Sequence, residues 1–300
     1  MIWDNWRLYN STRHNPYLHL SLEHYHLYDD PLIEKSPVII FYVNEPSVVM
    51  GNFQNPWREV NVAYCRQNNI HIVRRFSGGG CVYHDHGNLN IAIIAPRAQY
   101  DRNAFLQKIC EHFMAQGVPM VVGEKNDLLI EGKKISGSAF REIKDRTLHH
   151  FTLLIQTDKI HLKNCLSVAE HSANFSTQAL SSRRAGTTQL SQYLQQSFFE
   201  IKLNLVKKFF TGIECLDVEQ DFKSDQWNTW DHVYAKTPSF SWRSGDLSLV
   251  SEKGKLLSLK SDGQTYHFSN PIVFNSKVSD LAPYISTECQ QVLVENGFFI

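Results

Sequence analysis

The chain has 300 residues, 42% of them hydrophobic and 20% charged. That composition suits one large or two unequal folded domains of about 100–200 residues and excludes a wholly disordered chain. Thirty Lys and Arg balance thirty Asp and Glu, so no surface built for non-specific nucleic-acid binding is expected.

The six cysteines (Cys65, Cys81, Cys110, Cys165, Cys215 and Cys289) form no CxxC pair, which reads as free thiols in a reducing compartment. The opening residues MIWDNWRLYNSTRHN lack a basic start followed by an apolar run. Apolar runs such as Val38–Val43 are only strand-sized. A cytoplasmic protein with no membrane association is expected. With no heptad or long apolar stripe in view, the expected state is a monomer.

In chain order, Leu18–Tyr28 reads as a helix with His and Tyr among its leucines. Val38–Val43 is a β-branched and aromatic run that predicts a buried strand, followed by a short strand within Pro46–Gly51. Val60–Asn69 predicts a helix. Ile70–Phe76 predicts a strand running into Ser77-Gly78-Gly79-Gly80, with strands at Cys81–His84 and Asn88–Ala95 beyond it. Asp101 is placed to cap a helix that buries Phe105, Leu106, Ile109, Cys110 and Phe113, with Gly117 ending it. Met120–Val122 is a short strand, and Asp127–Ile130 and Lys134–Ser136 form a hairpin through Gly132. Phe151–Ile155 is a strand, and Ser191–Phe210 a long amphipathic helix with Gly212 just past it. Asp217–Trp230 is polar. Short alternating strands follow at Asp246–Val250, Lys255–Lys260 and Thr265–Phe268. Strands and helices mix without a strict βαβ rhythm, so the expected class is α+β. The expected division is 1–235 as the main domain and 236–300 as a small second one.

Three segments carry candidate chemistry. The three glycines after Ser77 are wasteful unless the backbone takes positive φ or touches something closely. Their N–H groups can form an anion site, and Arg74 and Arg75 can add charge-assisted bonds to a carboxylate or phosphate. The run is neither a Walker loop nor GxGxxG, and alone it reads better as a plain glycine-rich hairpin turn. His84 and His86 alternate and could share a strand face, but two imidazoles make a thin metal site. In the third segment Asn126 and Asp127 open one strand and Lys134 its partner. An acid there suits Mg²⁺ beside a phosphate, and a lysine suits an anionic oxygen.

Taken together, Glu45–Val60 (EPSVVMGNFQNPWREV), Arg74–Asn90 (RRFSGGGCVYHDHGNLN), Asn126–Glu142 (NDLLIEGKKISGSAFRE) and His149–Leu154 resemble the lipoate–protein ligase A and lipoyltransferase family. Glu23 in LSLEH and Trp227–Phe240 match more loosely. The resemblance implies a biotin/lipoate ligase-like catalytic domain of mixed sheets with helices, plus a small C-terminal accessory domain. It implies lipoate and ATP as substrates and Mg²⁺ as cofactor. Lipoate would attack the α-phosphorus of ATP, giving lipoyl-AMP and pyrophosphate, and an acceptor lysine would then take the acyl group. The implied acceptors are lipoyl-domain proteins: 2-oxoacid dehydrogenase E2 subunits and the glycine cleavage H protein. Lys134 matches the family's essential lysine, and Lys133 does not. Arg75, Ser77, Gly78, Gly79, Gly80, Val82, Tyr83, Asn126, Asp127, Ala139 and Arg141 are implied to bind lipoate or lipoyl-AMP, with Asp127 near Mg²⁺. Val49 and Val82 would line the acyl tunnel.

Four other readings remain open from sequence. A lipoyltransferase would use preformed lipoyl-AMP or a lipoylated donor. An octanoyltransferase would work through a cysteine such as Cys81 or Cys165. A biotin ligase would share the fold. A binding module would have lost catalysis altogether.

Overall fold

The computed structural model describes residues 5–166, 173–183, 185–210, 215–216, 218, 222 and 224–300. Gly212 and much of the polar stretch at 217–223 lie outside them. The class is α+β, with mixed and antiparallel sheets and short helices. Among the described residues no helix is long and apolar enough to cross a membrane. The chain divides into two compact units: Met1–Pro46, His84–Asp158 and Arg183–Ser224 form the first, and Ser47–Tyr83, Lys159–Ser182 and Asp225–Ile300 the second. Elements are numbered in chain order.

The first unit is built on a six-stranded sheet of order β10-β11-β6-β2-β1-β13. Its strands are β1 (Arg7–Asn10), β2 (Val38–Tyr42), β6 (Asn88–Pro96), β10 (Ser138–Ile143), β11 (Arg146–Leu154) and β13 (Cys215–Leu216). β2 and β6 are buried at every position, as continuous apolar runs covered on both faces should be. Helix α1 (Pro16–Tyr28) starts two residues before the expected Leu18, because Asn15 Oδ1 accepts from the Tyr17 and Leu18 N–H groups and Pro16 fits the first turn. Helix α4 (Arg102–Met114) is capped by Asp101 and buries Phe105, Leu106, Ile109, Cys110 and Phe113, the five expected residues. Helix α6 (Phe198–Phe210) starts later than the expected Ser191. The reason is a capping box: Glu200 Oε2 accepts from the Ser197 N–H at 2.8 Å, and Ser197 Oγ accepts from the Glu200 N–H at 3.3 Å. A three-stranded sheet of β7 (Met120–Val122), β8 (Leu128–Ile130) and β9 (Lys133–Ser136) completes this unit.

Helix α1 also carries polar side chains into the interior. His19 Nδ1 donates to Asn44 Oδ1 at 2.6 Å, and Asn44 Nδ2 donates to His84 Nδ1 at 2.9 Å. Burial pulls the pKa of His19 down to about 4, against the opposing pull of Asn44 and Glu23. Glu23 Oε2 meets His150 Nδ1 at 2.9 Å, and its Oε1 accepts from the Tyr42 hydroxyl at 2.8 Å.

The second unit holds a small sheet of order β4-β3-β5, with β3 (Ser47–Met50), β4 (His71–Arg74) and β5 (Val82–His84). It also holds an antiparallel sheet of order β12-β14-β15-β16-β17: β12 (Phe175–Thr177), β14 (Phe240–Ser244), β15 (Leu247–Glu252), β16 (Lys255–Ser261) and β17 (Gln264–Val273). The residues from 236 onward share one core with 47–83. Trp57, Phe240, Trp242, Phe274 and Phe298 pack in a single cluster, and Trp57 Nε1 donates to the Gly297 carbonyl at 3.1 Å.

Two outcomes are expected. Phe298, fully buried, should cost about 3–5 kcal/mol on truncation to Ala, whereas Ser197→Ala should cost only about 1 kcal/mol; urea unfolding measures both. A histidine with a lowered folded pKa contributes stability that is present above its unfolded value of about 6.5. That stability is lost as pH falls through this value toward about 4, because only the unfolded chain takes up the proton there. The loss of unfolding midpoint on acidification across that window should be smaller in His19→Gln than in the natural chain.

Candidate active site

In the second unit, the glycine loop leaves β4 through two buried arginines. Arg74 is 0% exposed. Its Nε donates to the Val233 carbonyl at 2.8 Å, its Nη1 to the Asn52 and Gln54 carbonyls at 2.9 and 2.8 Å, and its Nη2 to Thr237 Oγ1 at 3.1 Å. Burial lowers its pKa to about 10, so it stays charged. Arg75 donates to Ser77 Oγ and to the carbonyls of Val49, Gly78 and Gly80, at 2.6 to 3.0 Å for the best bond to each. Arg75 therefore grips the glycine loop from behind, while Arg74 ties the turn at 51–54 to Val233 and Thr237. Most of their hydrogen bonds go to backbone carbonyl oxygens.

The three glycines are not equivalent. Only Gly79 takes positive φ, at 90°. Gly80 is crowded by Ser182, 3.1 Å from where a Cβ would sit. A Cβ at Gly78 would meet nothing within 4 Å, so neither packing nor backbone angle requires glycine there. A fourth glycine passed over in the sequence, Gly51, packs directly against the loop: its Cβ would lie 2.1 Å from the Gly79 carbonyl oxygen. Ser77 is buried, its carbonyl accepting from the Asn52 N–H at 2.9 Å.

Ser182, also missed, closes the loop's far side. Its Oγ accepts from the Cys81 N–H and from Gln54 Nε2, each at 2.9 Å, while its own N–H donates to Glu59 Oε2 at 3.0 Å. Val49 is buried, Val82 half-buried, and Tyr83 sits in the unit's hydrophobic core. Burial and then the Glu59 charge push the Cys81 thiol up to about 12. A thiolate is the nucleophilic form, so Cys81 is unsuited to forming a thioester.

In the first unit, β8 and β9 meet in a two-residue turn with Glu131 at φ 51° and Gly132 at φ 74°, the I′ geometry that matches strand twist. Lys134 Nζ lies 3.0 Å from Asp127 Oδ1, the side chains 26% and 24% exposed. The Lys134 backbone is held on its outer side as well: its N–H donates to the Gly186 carbonyl at 2.8 Å and its carbonyl accepts from the Thr188 N–H at 2.9 Å. Lys133 points outward and is exposed. Asn126, next to Asp127, has φ 59°.

On β10, Ala139 pairs with His150 and Arg141 with Leu148. Strand alternation puts Ala139 and Arg141 on one face and Ser138 and Phe140 on the other. Arg141 Nε is buried with no hydrogen-bond partner among the described residues, a donor waiting for an acceptor. The first unit thus gathers Asn126, Asp127 and Lys134, with Ala139 and Arg141 on the following strand. The glycine loop belongs to the second unit.

Nothing in the described residues forms a group of three or more His, Cys, Asp or Glu side chains fit for a metal. The alternation of His84 and His86 does not become a site: His84 bonds to Asn44, and the His86 ring meets the His14 ring edge-on at 4.9 Å.

The sequence matches the family model for the lipoyl protein ligase A/B catalytic domain over residues 15–210. It is 33% identical to "Lipoate-protein ligase A" of Bdellovibrio bacteriovorus over 85% of this chain and 81% of that protein. It is 29% identical to "Lipoate-protein ligase LplJ" of Bacillus subtilis, over 86% of this chain and 84% of the relative. The fold is shared with the crystal structure of P. falciparum LipL1 in complex with lipoate, with a TM-score of 0.67 and 24% identity over 85% of this chain and 84% of the other. With most of the chain matched and the motif segments in their places, the protein belongs to the lipoyl protein ligase A/B family and is an enzyme.

Proposed function

We propose that this enzyme is an ATP-dependent lipoate–protein ligase. Lipoate carboxylate attacks the α-phosphorus of ATP, forming lipoyl-AMP and releasing pyrophosphate. The ε-amine of a lysine on a lipoyl domain then attacks the acyl carbon, forming an amide and releasing AMP. The acceptors proposed are 2-oxoacid dehydrogenase E2 subunits and the glycine cleavage H protein. Residues 1–235 are assigned to catalysis and 236–300 to an accessory role.

The observation that carries this reading is the Lys134–Asp127 pair on a strand whose backbone is held from both sides. The first step brings two anions together, so a fixed cation at the phosphate lowers its barrier. Lys134 is charged, half-exposed and prevented from drifting by Asp127. On this reading it releases Asp127 in part to bridge the α-phosphate and the acyl oxygen. Asn126 lies beside it at the nucleotide, and Arg141 brings its unpartnered Nε to the acyl-adenylate.

Magnesium needs few protein ligands, because it keeps waters and binds substrate phosphates directly. Asp127, with its second oxygen unpartnered among the described residues, fits that role, and the ion would neutralise phosphate charge. The open space at Gly78 supports a close approach of ligand to the loop backbone. Arg75, Ser77, Gly79 and Gly80 set the loop's shape, and Val49 and Val82 line the acyl path.

Lys134→Ala should slow lipoyl-AMP formation by about 100-fold or more. Its unfolding midpoint should barely move, since a partly exposed ion pair contributes about 0–1 kcal/mol. Pyrophosphate release with lipoate and ATP-Mg measures the first quantity; a fully active variant would refute the assignment. Transfer to an apo lipoyl domain tests the whole reaction, and success with lipoyl-AMP but not with ATP would make the enzyme a transferase only. The glycines give a second contrast. Gly78→Ala should fold normally yet weaken lipoyl-AMP binding about tenfold or more, whereas Gly51→Ala should lower stability itself, because its Cβ has no room. Equilibrium binding and thermal melts separate the two.

A further inference from the structure

A buried row of hydrogen bonds in the first unit ends on the backbone beside the lysine–aspartate pair. His149 on β11 is 0% exposed. Its Nε2 meets Ser138 Oγ at 3.1 Å, its Nδ1 meets the Tyr100 hydroxyl at 2.6 Å, and Ser138 Oγ donates to the Asn126 carbonyl at 2.6 Å. A serine hydroxyl has one hydrogen. Ser138 gives it to a carbonyl, which can only accept, so Ser138 Oγ must accept from His149 and Nε2 carries the ring proton. Nδ1 then holds a lone pair and takes the Tyr100 hydroxyl hydrogen. The row is satisfied by a neutral imidazole in one tautomer. Burial, with the charges of His150 and Arg102 adding to it, keeps the His149 pKa well below its ordinary value.

The far end of the row is a left-handed turn. Asn126 has φ 59°, a conformation that asparagine adopts more readily than most other non-glycine residues. Its N–H donates to the Gly123 carbonyl at 3.2 Å, and the Gly123 N–H donates to the Asp127 carbonyl at 2.8 Å. Asp127 follows directly, so a change at Asn126 re-aims the carboxylate that holds Lys134 Nζ. Ser138 is on the opposite face of β10 from Ala139 and Arg141, and a contact with the acyl-adenylate is not its role here.

We propose that Ser138 and His149 are positioning residues for acid activation: the Ser138–Asn126 bond, backed by His149, holds the left-handed turn that aims Asp127 at Lys134. This rests on the role assigned to Lys134 above. It extends the site beneath the surface, to two residues that touch neither substrate.

The test measures lipoyl-AMP formation by the full chain with lipoate and ATP-Mg, together with the lipoate KM and the thermal midpoint. Ser138→Ala is expected to lower kcat roughly 10- to 100-fold, as small misplacements of reacting groups do. The lipoate KM should stay within about twofold, because uniform binding is untouched. Ser138→Thr restores the hydroxyl and should regain most of the rate. His149→Phe should act in the same direction and add little to Ser138→Ala, since both break one row; it also carries the test if Ser138→Ala fails to fold. A folded Ser138→Ala enzyme with full kcat, no rescue by Thr, or fully additive losses would overturn the inference. Lys134→Ala separates the two claims. If that variant is active, the underlying reading fails; if it is inactive while Ser138→Ala is fully active, only the positioning role fails.

Discussion

A buried guanidinium must place its five N–H donors, and around Arg74 the second unit is organised to accept them. Arg74 draws the carbonyls of Asn52, Gln54 and Val233 and the Thr237 hydroxyl to one point. Arg75 does the same for Val49, Gly78 and Gly80. Burying a charge without such partners would be very costly, so the turn at 51–54, the glycine loop and the segment at 233–237 are fixed relative to one another. The loop's curvature follows from where its carbonyls must point, with the glycines permitting the path.

The first unit solves a different problem with backbone alone. Lys134 has a flexible stem, and a lysine is useful as a point charge only if its root is fixed. An I′ turn sets the hairpin, β8 holds one edge of β9, and Gly186 and Thr188 hold the other at Lys134. Asp127 then limits the ammonium itself. Charge, root and aim are supplied by separate features.

Much of this was legible in the sequence where physics is local. The β-branched run at 38–42 and the apolar spacing of α4 name their elements and buried faces, and Gly132 marks its turn. The late start of α6 was legible too, in Ser197 and Glu200, but the apolar periodicity running back to Ser191 masked it. What could not be read was direction and distance. Two arginines before a glycine run look like anion ligands, and nothing in their spacing shows which backbone carbonyls they also bind. Gly51, Gln54 and Ser182 matter to the loop through contacts that span up to about 130 residues of chain. The pairing of Glu23 with His150 has the same character.

One consequence of the inward-facing carbonyls concerns the other side of the same peptide groups. In a trans peptide the N–H points away from the C=O. Gly78 turns its oxygen to Arg75, so the Gly79 N–H is directed away from the guanidinium. The arginine thus acts as a keel: it never reaches the outer surface, yet it decides which face of the loop is a donor face. A lysine in its place would hold one point where the fork holds several, and the donor face would be free to roll.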